Sequence, residues 1–313
     1  MKRVLVTGAA GFCGPYLVRH LAGRGYRVAA AYRAGAPPPR IPHSQWHALE
    51  LRNPAQVRAL IQETKPDAVC HLAAQSVPRL SWEKEAETFE TNVAGTVHLL
   101  NAVRRYRPRA RVLFISSNQV YGASFRTGRV MTETDRVWPE SPYAASKAAA
   151  ELACLDFANR FGLDVVIARV FNHLGAGQET HFVFSDWCRQ IALSEKGKRP
   201  PVLDVGNLDA LRDFLHVGDV VRAYTLLLMR GKRETCYNVC TGRSRPLTAY
   251  VAFLLKQAQV PMKVTVKKKR LRTYDPPVMK ASPNRLKRLG WRLVSSPFAA
   301  LSELLEEWRG KIK

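Results

Sequence analysis

The first half of the chain alternates short apolar runs with longer segments whose apolar residues recur every three or four positions. Short apolar runs of this length predict buried strands, and the longer periodic segments predict amphipathic helices. We expect strands at Arg3 to Thr7, Arg27 to Tyr32, Ala68 to Leu72, Arg111 to Ser116 and Asp164 to Val170. We expect helices at Pro15 to Arg24, Pro54 to Thr64, Trp82 to Val103 and Pro142 to Phe161. This order predicts an α/β fold with a doubly wound parallel sheet.

The pattern becomes less regular in the second half of the chain. Helical spacing returns at His181 to Ser194, Val217 to Leu228, Leu247 to Ala258 and Phe298 to Arg309, with turn-rich segments between. No segment is long enough to act as a flexible linker. We therefore predict a first domain over residues 1–170 and a smaller C-terminal lobe over residues 171–313, from which some strands and helices return to the first domain.

Composition excludes several classes of protein. The 313 residues contain 46% hydrophobic and 24% charged residues, which are ordinary globular values. No apolar run reaches the roughly 18 residues that a membrane-spanning helix needs, and the apolar start of the chain is too short for a signal peptide. The six cysteines do not follow the spacing of a zinc site. We expect a cytoplasmic protein with reduced cysteines, no membrane span and no bound metal.

A glycine-rich loop follows the first predicted strand and precedes a helix. In this loop Gly8 permits the tight turn, Gly11 allows a pyrophosphate to approach the backbone, and Gly14 allows the helix to pack closely on the strand. The free N–H groups at the start of the helix favour phosphate. This arrangement predicts a Rossmann-type dinucleotide site with the C-terminal lobe available for the substrate.

The end of the second strand indicates which dinucleotide binds. NAD sites usually carry Asp or Glu there to accept a hydrogen bond from the ribose 2′-hydroxyl, but this chain has Tyr32 followed by Arg33. A guanidinium forms paired, charged hydrogen bonds with a 2′-phosphate. We therefore expect NADP(H) as the cofactor, selected by Arg33.

Three residues predict acid-base chemistry. Tyr143 and Lys147 are four positions apart, which places them on one face of a helix. A phenol with an ordinary pKa of about 10 is a poor acid near neutrality, and a nearby ammonium lowers that pKa. Ser117 ends the strand before this helix, at the sheet edge where α/β folds bind ligands. We expect Tyr143 to donate the proton and Ser117 to orient the substrate oxygen.

Several segments together resemble the extended short-chain dehydrogenase/reductase family. They span most of the chain and comprise Thr7 to Gly14, His71 to Gln75, Asn92 to Thr96, Ser116 and Ser117, and Tyr143 to Lys147. Three further segments are similar to the branch of GDP-mannose 4,6-dehydratase and GDP-4-dehydro-6-deoxy-D-mannose reductase. These segments are Arg169 to Gln178, Gly206 to Phe214 and Leu271 to Asp275.

The resemblance implies contacts for a GDP-linked sugar. Asn172 and Arg212 would hold the diphosphate, and Val183 would line the guanine pocket. Arg272 and Asp275 would reach the nucleotide ribose or phosphate. We also expect the substrate to contact Ser76 and Gln119. Besides the three glycines, Arg33, Tyr143 and Lys147, we expect the cofactor to contact Phe12, Cys13, Glu50, Leu51, Leu72, Ala73, Ala74 and Val170.

The type of reaction is inferred from two residues outside the Tyr143–Lys147 pair, Gln119 and Arg33. A 4,6-dehydratase of this branch carries a Glu that removes the C5 proton, and the corresponding residue here is Gln119, an amide that does not titrate. Epimerases usually keep NAD bound, whereas a reductase consumes NADPH, so Arg33 favours reduction. We predict hydride delivery to the C4 keto group of a GDP-4-keto-6-deoxyhexose, giving a product of the GDP-D-rhamnose type.

Alternative functions stay open at this stage. Ser117 to Tyr121 also resembles some nucleotide-sugar epimerases, and a dehydratase belongs to the same family. A cofactor-sensing module is a further alternative, although Tyr143 and Lys147 are both retained.

The basic charge raises the question of partners. The chain has a net charge of +24, and 20 basic against 5 acidic residues fall between Arg230 and Lys313. Such a surface attracts polyanions, but no nucleic-acid-binding motif accompanies it, so we do not expect nucleic acid as a partner. Helices Trp82 to Val103 and Pro142 to Phe161 resemble the family's usual dimer surface, and we expect a homodimer by that analogy.

Overall fold

The computed structural model describes residues 2–35, 41–270 and 275–312. Its strands in chain order are β1 (Arg3–Thr7), β2 (Arg27–Tyr32), β3 (Ser44–Ala48), β4 (Ala68–His71), β5 (Arg111–Ser117), β6 (Val165–Val170), β7 (Asn172–Leu174), β8 (Val202–Val205), β9 (Leu211–Arg212), β10 (Phe214–His216), β11 (Thr235–Val239), β12 (Arg245–Pro246), β13 (Lys263–Val266) and β14 (Val278–Met279).

The α-helices are α1 (Cys13–Ala22), α2 (Pro54–Thr64), α3 (Pro78–Glu83), α4 (Glu85–Phe89), α5 (Gly95–Tyr106), α6 (Pro142–Phe161), α7 (Val183–Glu195), α8 (Val217–Arg230), α9 (Leu247–Gln257), α10 (Asn284–Lys287) and α11 (Pro297–Lys311). A π-helical segment at Glu90–Ala94 precedes α5, and 3-10 segments follow β5 and β13. No helix within the described ranges is long and apolar enough to cross a membrane.

The central sheet has seven strands in the order β11-β6-β5-β4-β1-β2-β3, and every neighbouring pair is parallel. The chain reverses its direction of winding between β1 and β4, and open α/β sheets bind ligands in the crevice beyond the carboxyl ends of the strands at this point. The predicted doubly wound, Rossmann-type parallel sheet is therefore confirmed.

The described residues form three apolar cores, and two of them cover the faces of this sheet. Helices α1 and α8 cover one face, and helices α2, α5 and α6 cover the other. The third core joins α7, α9 and α11 to the short strands β8 and β13, and it forms the body of the second half of the chain. The sheet also takes one strand, β11, from that second half, where it pairs with β6.

Two parts of the sequence prediction need correction. Strands β3 and β11, at the two edges of the sheet, were not predicted, because an edge strand pairs on one side only and needs fewer apolar residues. The single helix expected from Trp82 to Val103 is divided into α3, α4, the π-helical segment and α5. The chain leaves the helical conformation at Lys84, where φ is −136° and ψ is 58°.

The helix that carries Tyr143 begins at a position that its sequence specifies. The Ser141 side chain accepts a hydrogen bond from the Ala144 amide at 3.1 Å, and Pro142 occupies the first helical turn. Proline is favoured there because its missing N–H has no partner within the helix. At the other end Gly162 adopts a φ of 72°, which terminates the helix. Both ends of α6 are therefore fixed by local interactions.

Candidate active site

The loop between β1 and α1 has the geometry of a phosphate-binding turn. Gly8 has a φ of 69°, and a Cβ atom there would lie 2.7 Å from the Ala73 amide nitrogen. A Cβ atom at Gly14 would overlap the backbone of Ala9. Within the described residues no side chain caps the first turn of α1, and the Gly14 N–H donates to the Gly11 carbonyl at 3.0 Å. These features fit the pyrophosphate of a dinucleotide.

The edge of the sheet beside this loop is fixed by a buried histidine. The Thr7 hydroxyl lies 2.7 Å from His71 Nδ1, and His71 Nε2 lies 3.1 Å from the Thr96 hydroxyl. Burial, with a smaller contribution from the charge of Lys147, lowers the pKa of His71 to about 3. Its imidazole is therefore neutral at physiological pH, and its two hydrogen bonds hold β1, β4 and α5 together.

The same hydrogen-bond network continues through Asn92 in the π-helical segment. Asn92 donates to the Ser146 hydroxyl at 2.9 Å and accepts from the Gln75 amide at 2.7 Å. Ser146 in turn donates to the Tyr143 carbonyl at 2.8 Å. The network thus runs from the loop after β4 to the segment of α6 between the two predicted catalytic residues.

This network was not predicted, although His71 and Asn92 lie in segments that resemble the extended short-chain dehydrogenase/reductase family. The available signal was a set of polar residues inside apolar segments, which in a folded protein must find hydrogen-bond partners.

Ser117, Tyr143 and Lys147 come together at the carboxyl end of β5. All three are buried, with 6%, 9% and 3% of their surfaces exposed. The Ser117 hydroxyl lies close enough to the phenol of Tyr143 to act on its pKa. Lys147 Nζ lies 4.3 Å from the centre of the Phe114 ring. The structure therefore groups the three residues that were predicted to act together, and Val170 lies beside Ser117 in the register of β5 and β6.

The pKa of Tyr143 shifts in the direction opposite to the prediction. Burial raises it above the ordinary value because a buried phenolate loses its hydration, and the hydrogen bond with Ser117 opposes this rise. The sequence analysis considered the ammonium of Lys147 and not the burial. Burial also lowers the pKa of Lys147 to about 8. The site therefore holds a protonated phenol at neutral pH, which suits a proton donor.

The predicted 2′-phosphate side of the cofactor site lies at the ends of β2 and β3. Arg33 follows β2 and is exposed. The pKa of Glu50 is lowered mainly by its hydrogen bond with Arg52, and the charge of Arg33 adds to this effect. Leu51 is buried against Gly95, where a Cβ atom would lie 2.6 Å from its Cγ. An exposed guanidinium beside the sheet edge fits a phosphate ligand.

The remaining predicted cofactor contacts lie around the glycine loop. The Ala73 amide donates to the Thr7 hydroxyl at 3.3 Å, and the Leu72 amide donates to the Thr7 carbonyl at 3.2 Å. The ring of Phe12 stacks on that of His173 with 5.7 Å between their centres. Cys13 is half-buried at the start of α1, and Ala74 is half-buried in the loop after β4.

Two of the predicted substrate residues form a buried ion pair. The guanidinium of Arg212 donates to a carboxylate oxygen of Asp275, and the other oxygen accepts from Asn207 Nδ2 at 3.0 Å. The side chains of Arg212 and Asp275 are 6% and 17% exposed. This pair joins the segment around β9 to the segment that precedes β14. Arg272, the third predicted member of this group, lies outside the described residues.

The other predicted substrate residues lie on separate elements. Asn172 begins β7 and pairs in register with Phe214 of β10. Val183 begins α7 and packs against the apolar core of the second half. Ser76 is exposed in the loop after β4, and Gln119 is half-buried in the 3-10 segment after Ser117.

Asn118 is a further polar residue beside Ser117, and it was not among the predicted site residues. It is 2% exposed, and its side-chain carbonyl accepts a hydrogen bond from the Ser117 hydroxyl at 3.4 Å. Within the described part of the chain its Nδ2 has no hydrogen-bond partner. The feature of the sequence that could have identified Asn118 as a site residue is its position directly after Ser117.

Comparison with known proteins gives relatives over the whole length of the chain. It is 34% identical over 313 residues to the GDP-6-deoxy-D-mannose reductase of Pseudomonas aeruginosa, covering 100% of this chain and 99% of that protein. The solved structure of RMD from Pseudomonas aeruginosa complexed with NADPH matches with a TM-score of 0.87 and 32% identity, covering both chains completely.

An enzyme that catalyses a different reaction has a structure that is equally similar to this chain, with the same TM-score. The Thermus thermophilus UDP-glucose 4-epimerase in complex with NAD matches with a TM-score of 0.87 and 30% identity, covering 98% of this chain and 99% of that one. The family model of the NAD dependent epimerase/dehydratase family matches residues 4–240. The chain therefore belongs to the NAD dependent epimerase/dehydratase family, of the extended short-chain dehydrogenase/reductase type.

Proposed function

We propose that this protein is an NADPH-dependent reductase of the C4 keto group of a GDP-4-keto-6-deoxyhexose. The reaction converts GDP-4-dehydro-6-deoxy-D-mannose to a product of the GDP-D-rhamnose type. The observation that carries the proposal is the buried group of Ser117, Tyr143 and Lys147 at the carboxyl edge of the sheet. The full-length similarity to a GDP-6-deoxy-D-mannose reductase supports the choice of substrate.

The chemistry divides between the cofactor and the protein. NADPH, when bound, supplies the hydride that C4 receives. Tyr143 donates its proton to the carbonyl oxygen as negative charge develops there, and its raised pKa keeps that proton in place at neutral pH. Ser117, which lies beside the phenol, orients the carbonyl. Lys147 supplies a positive charge that stabilises the phenolate left behind.

Gln119 distinguishes reduction from dehydration. Removal of water across C5 and C6 needs a base that takes the C5 proton, and a carboxamide does not accept a proton near neutrality. Gln119 is the second residue of the 3-10 segment Asn118–Thr127 that follows β5, and its backbone N–H donates to the Ser117 hydroxyl at 3.2 Å. The residue in this position is therefore close to the catalytic serine but without acid-base chemistry. An epimerase or a 4,6-dehydratase of the same family is the alternative function.

The test is turnover with defined substrates. With GDP-4-keto-6-deoxy-D-mannose we expect oxidation of NADPH, which is measured as a loss of nicotinamide absorbance. With GDP-mannose we expect no conversion. Formation of a product from GDP-mannose that is lighter by one water would overturn the reductase assignment. If UDP-, CDP- or dTDP-linked 4-ketosugars are turned over and the GDP sugar is not, the assignment of carbonyl reduction stands and the assignment of a GDP-linked substrate fails. Gln119→Glu is expected to add at most a trace of C5 proton exchange.

The GDP part of the substrate is assigned to the second half of the chain. Arg212 is held by Asp275 in a buried ion pair, which fixes the guanidinium in one orientation. Guanidinium and amide groups suit a diphosphate, so we assign Arg212 and Asn172 to it. Val183 is assigned to the guanine pocket, and Asp275 with Arg272 to the nucleotide ribose or phosphate, by the family resemblance.

Cofactor selection is assigned to Arg33. We expect Arg33→Glu to reduce the preference for NADPH over NADH by roughly tenfold or more, because a carboxylate repels the 2′-phosphate and accepts from a 2′-hydroxyl. The measurement is the ratio of kcat/KM for the two cofactors. Arg58→Glu, an equal charge change at an exposed position of α2, is the matched control and is expected to leave the ratio unchanged. A wild-type enzyme that uses both cofactors equally would contradict the assignment.

We also propose that the protein is a homodimer. Trp82, Phe89 and Leu152 are 59%, 40% and 68% exposed on α3, α4 and α6, which are in contact with one another. A second copy of the same surface would cover these side chains, as the resemblance of these helices to the family's dimer surface implies. Light scattering after gel filtration should show a dimer that Leu152→Glu dissociates. Leu293→Glu, outside these helices, should leave it intact, and a monomeric wild type would reject the proposal.

A further inference from the structure

A carboxylate lies one helical turn from Lys147 without pairing with it. Glu151 follows Lys147 by four positions on α6, a spacing at which Lys and Glu side chains form ion pairs on a helix surface. Both residues are buried, with 3% of each exposed. Yet Lys147 forms no ion pair with any carboxylate of the described residues. Its Nζ lies over the Phe114 ring instead, 4.3 Å from the centre.

Glu151 is bound on its other side by Arg169 of β6. Arg169 Nε lies 3.1 Å from both carboxylate oxygens, and its Nη2 donates to Oε2 at 2.7 Å. The two side chains are 7% and 4% exposed. A forked contact of this kind occupies both oxygens of the carboxylate, whereas a lysine ammonium would engage it as a point charge.

Arg169 itself is held by two further contacts, and their partners are bonded to one another through Asn238. Its Nη1 donates to the Glu133 carbonyl at 3.3 Å, and its guanidinium lies 4.9 Å from the centre of the Tyr121 ring. Tyr121 donates to the side chain of Asn238 at 2.7 Å, and the Asn238 amide donates to the Glu133 carboxylate at 2.9 Å. The guanidinium is therefore fixed by β11 and by the segments that follow β5, so it cannot follow Glu151 if the carboxylate turns toward Lys147.

We propose that Arg169 is a positioning residue that acts through Glu151 on Lys147. By occupying both oxygens of Glu151, it prevents an ion pair between Glu151 and Lys147 and leaves the ammonium over the Phe114 ring of β5. This inference rests on the proposed role of Lys147 in supporting Tyr143 and the cofactor. Without the arginine, the buried carboxylate would have Lys147 as its nearest cation, and the ammonium would turn away from the site.

The charge of Lys147 supplies a measurable signature. The titratable groups whose charges couple to it are Glu151 and Cys154 on α6 and His71 on β4. Burial lowers the pKa of Lys147 to about 8, with Cys154 and Glu151 opposing this shift. Lysine is charged below its pKa, so activity that needs the ammonium should fall as pH rises through about 8. A direct ion pair with Glu151 would raise that pKa and move the decline to higher pH.

The experiment compares Arg169→Met with the double variant Arg169→Met/Glu151→Met. We expect Arg169→Met to lower kcat at least tenfold. We also expect it to raise the pH at which kcat/KM declines by about one unit or more. The double variant removes the competing carboxylate, so the decline should return toward its wild-type pH and kcat should recover several-fold over the single variant. Arg169→Lys keeps the positive charge but cannot form the paired hydrogen bonds with both oxygens of Glu151. It should raise the pH of the decline by a smaller amount than Arg169→Met does.

The matched control breaks a different ion pair on the neighbouring strand. Arg111 Nε lies 2.8 Å from an Asp164 oxygen at the amino end of β5, away from Lys147. Arg111→Met should lower stability without moving the alkaline decline. If Arg169→Met and Arg169→Lys, measured on folded protein, lower only stability and leave the decline in place, the proposal is overturned. Failure of the double variant to reverse the shift overturns it as well.

A second measurement separates this inference from the proposed substrate. The pH dependence of NADPH affinity reports the charge of Lys147 without turnover. It is measured by the fluorescence of the bound nicotinamide. The same shifts are expected there. If the enzyme rejects GDP-4-ketosugars but these shifts appear, the substrate assignment fails and the positioning role stands. If turnover is found and neither measurement shifts in the Arg169 variants, the positioning role fails and the reductase assignment stands.

Discussion

Replacing Tyr143 by phenylalanine is expected to lower kcat for carbonyl reduction by roughly 10²- to 10⁴-fold, the usual contribution of a positioned general acid. The ring remains and fills the same buried space, so the fold and the cofactor site should be retained. The lost group is the hydroxyl, which holds a transferable proton at neutral pH because burial raises its pKa. NADPH affinity should therefore stay within about twofold of the wild type.

The measurement pairs steady-state turnover with NADPH binding by fluorescence titration. Tyr237→Phe is the matched control, because Tyr237 is also buried and its hydroxyl accepts a backbone hydrogen bond from Lys232 at 2.9 Å. It should cost about 1 kcal/mol of stability and little activity. A Tyr143→Phe enzyme that keeps most of its kcat would exclude Tyr143 as the proton donor.

The fold was predictable where the sequence itself contains the signal. Strands β1 and β2 and helices α2 and α6 have the predicted bounds, since alternating apolar runs, prolines at helix starts and glycine at the end of α6 act locally. Strands β3 and β11 were missed because their place at the sheet edges depends on pairing with distant segments. The break at Lys84 was missed because the helical pattern continues through it.

The candidate site divides in the same way. The glycine loop and the Tyr143–Lys147 pair are local motifs, and the structure brings both to one edge of the sheet. The pairing of Arg169 with Glu151 joins residues 18 positions apart on different elements, and no sequence spacing indicates it. The direction of the pKa shift of Tyr143 depends on how deeply the phenol is buried, which only the packed structure gives.

The three glycines of the loop should respond differently to alanine. At Gly14 the added Cβ atom would overlap the backbone of Ala9, where no side chain can move aside. We expect Gly14→Ala to lower the free energy of unfolding by about 3 kcal/mol or more, since overpacking against a rigid backbone displaces α1 from β1. Gly8→Ala should behave similarly, because it combines a φ of 69° with a Cβ atom 2.7 Å from Ala73.

Gly11→Ala separates cofactor binding from folding. Gly11 is exposed and has an ordinary negative φ, and its Cβ atom would lie 3.3 Å from the Gly8 carbonyl oxygen, a contact that a small shift relieves. Stability should fall by less than about 1 kcal/mol. NADPH affinity should nevertheless fall roughly tenfold or more, because the added methyl group lies where the pyrophosphate approaches the backbone. Denaturant unfolding and fluorescence titration measure the two effects, and a Gly11→Ala protein with unchanged NADPH affinity would place the pyrophosphate elsewhere.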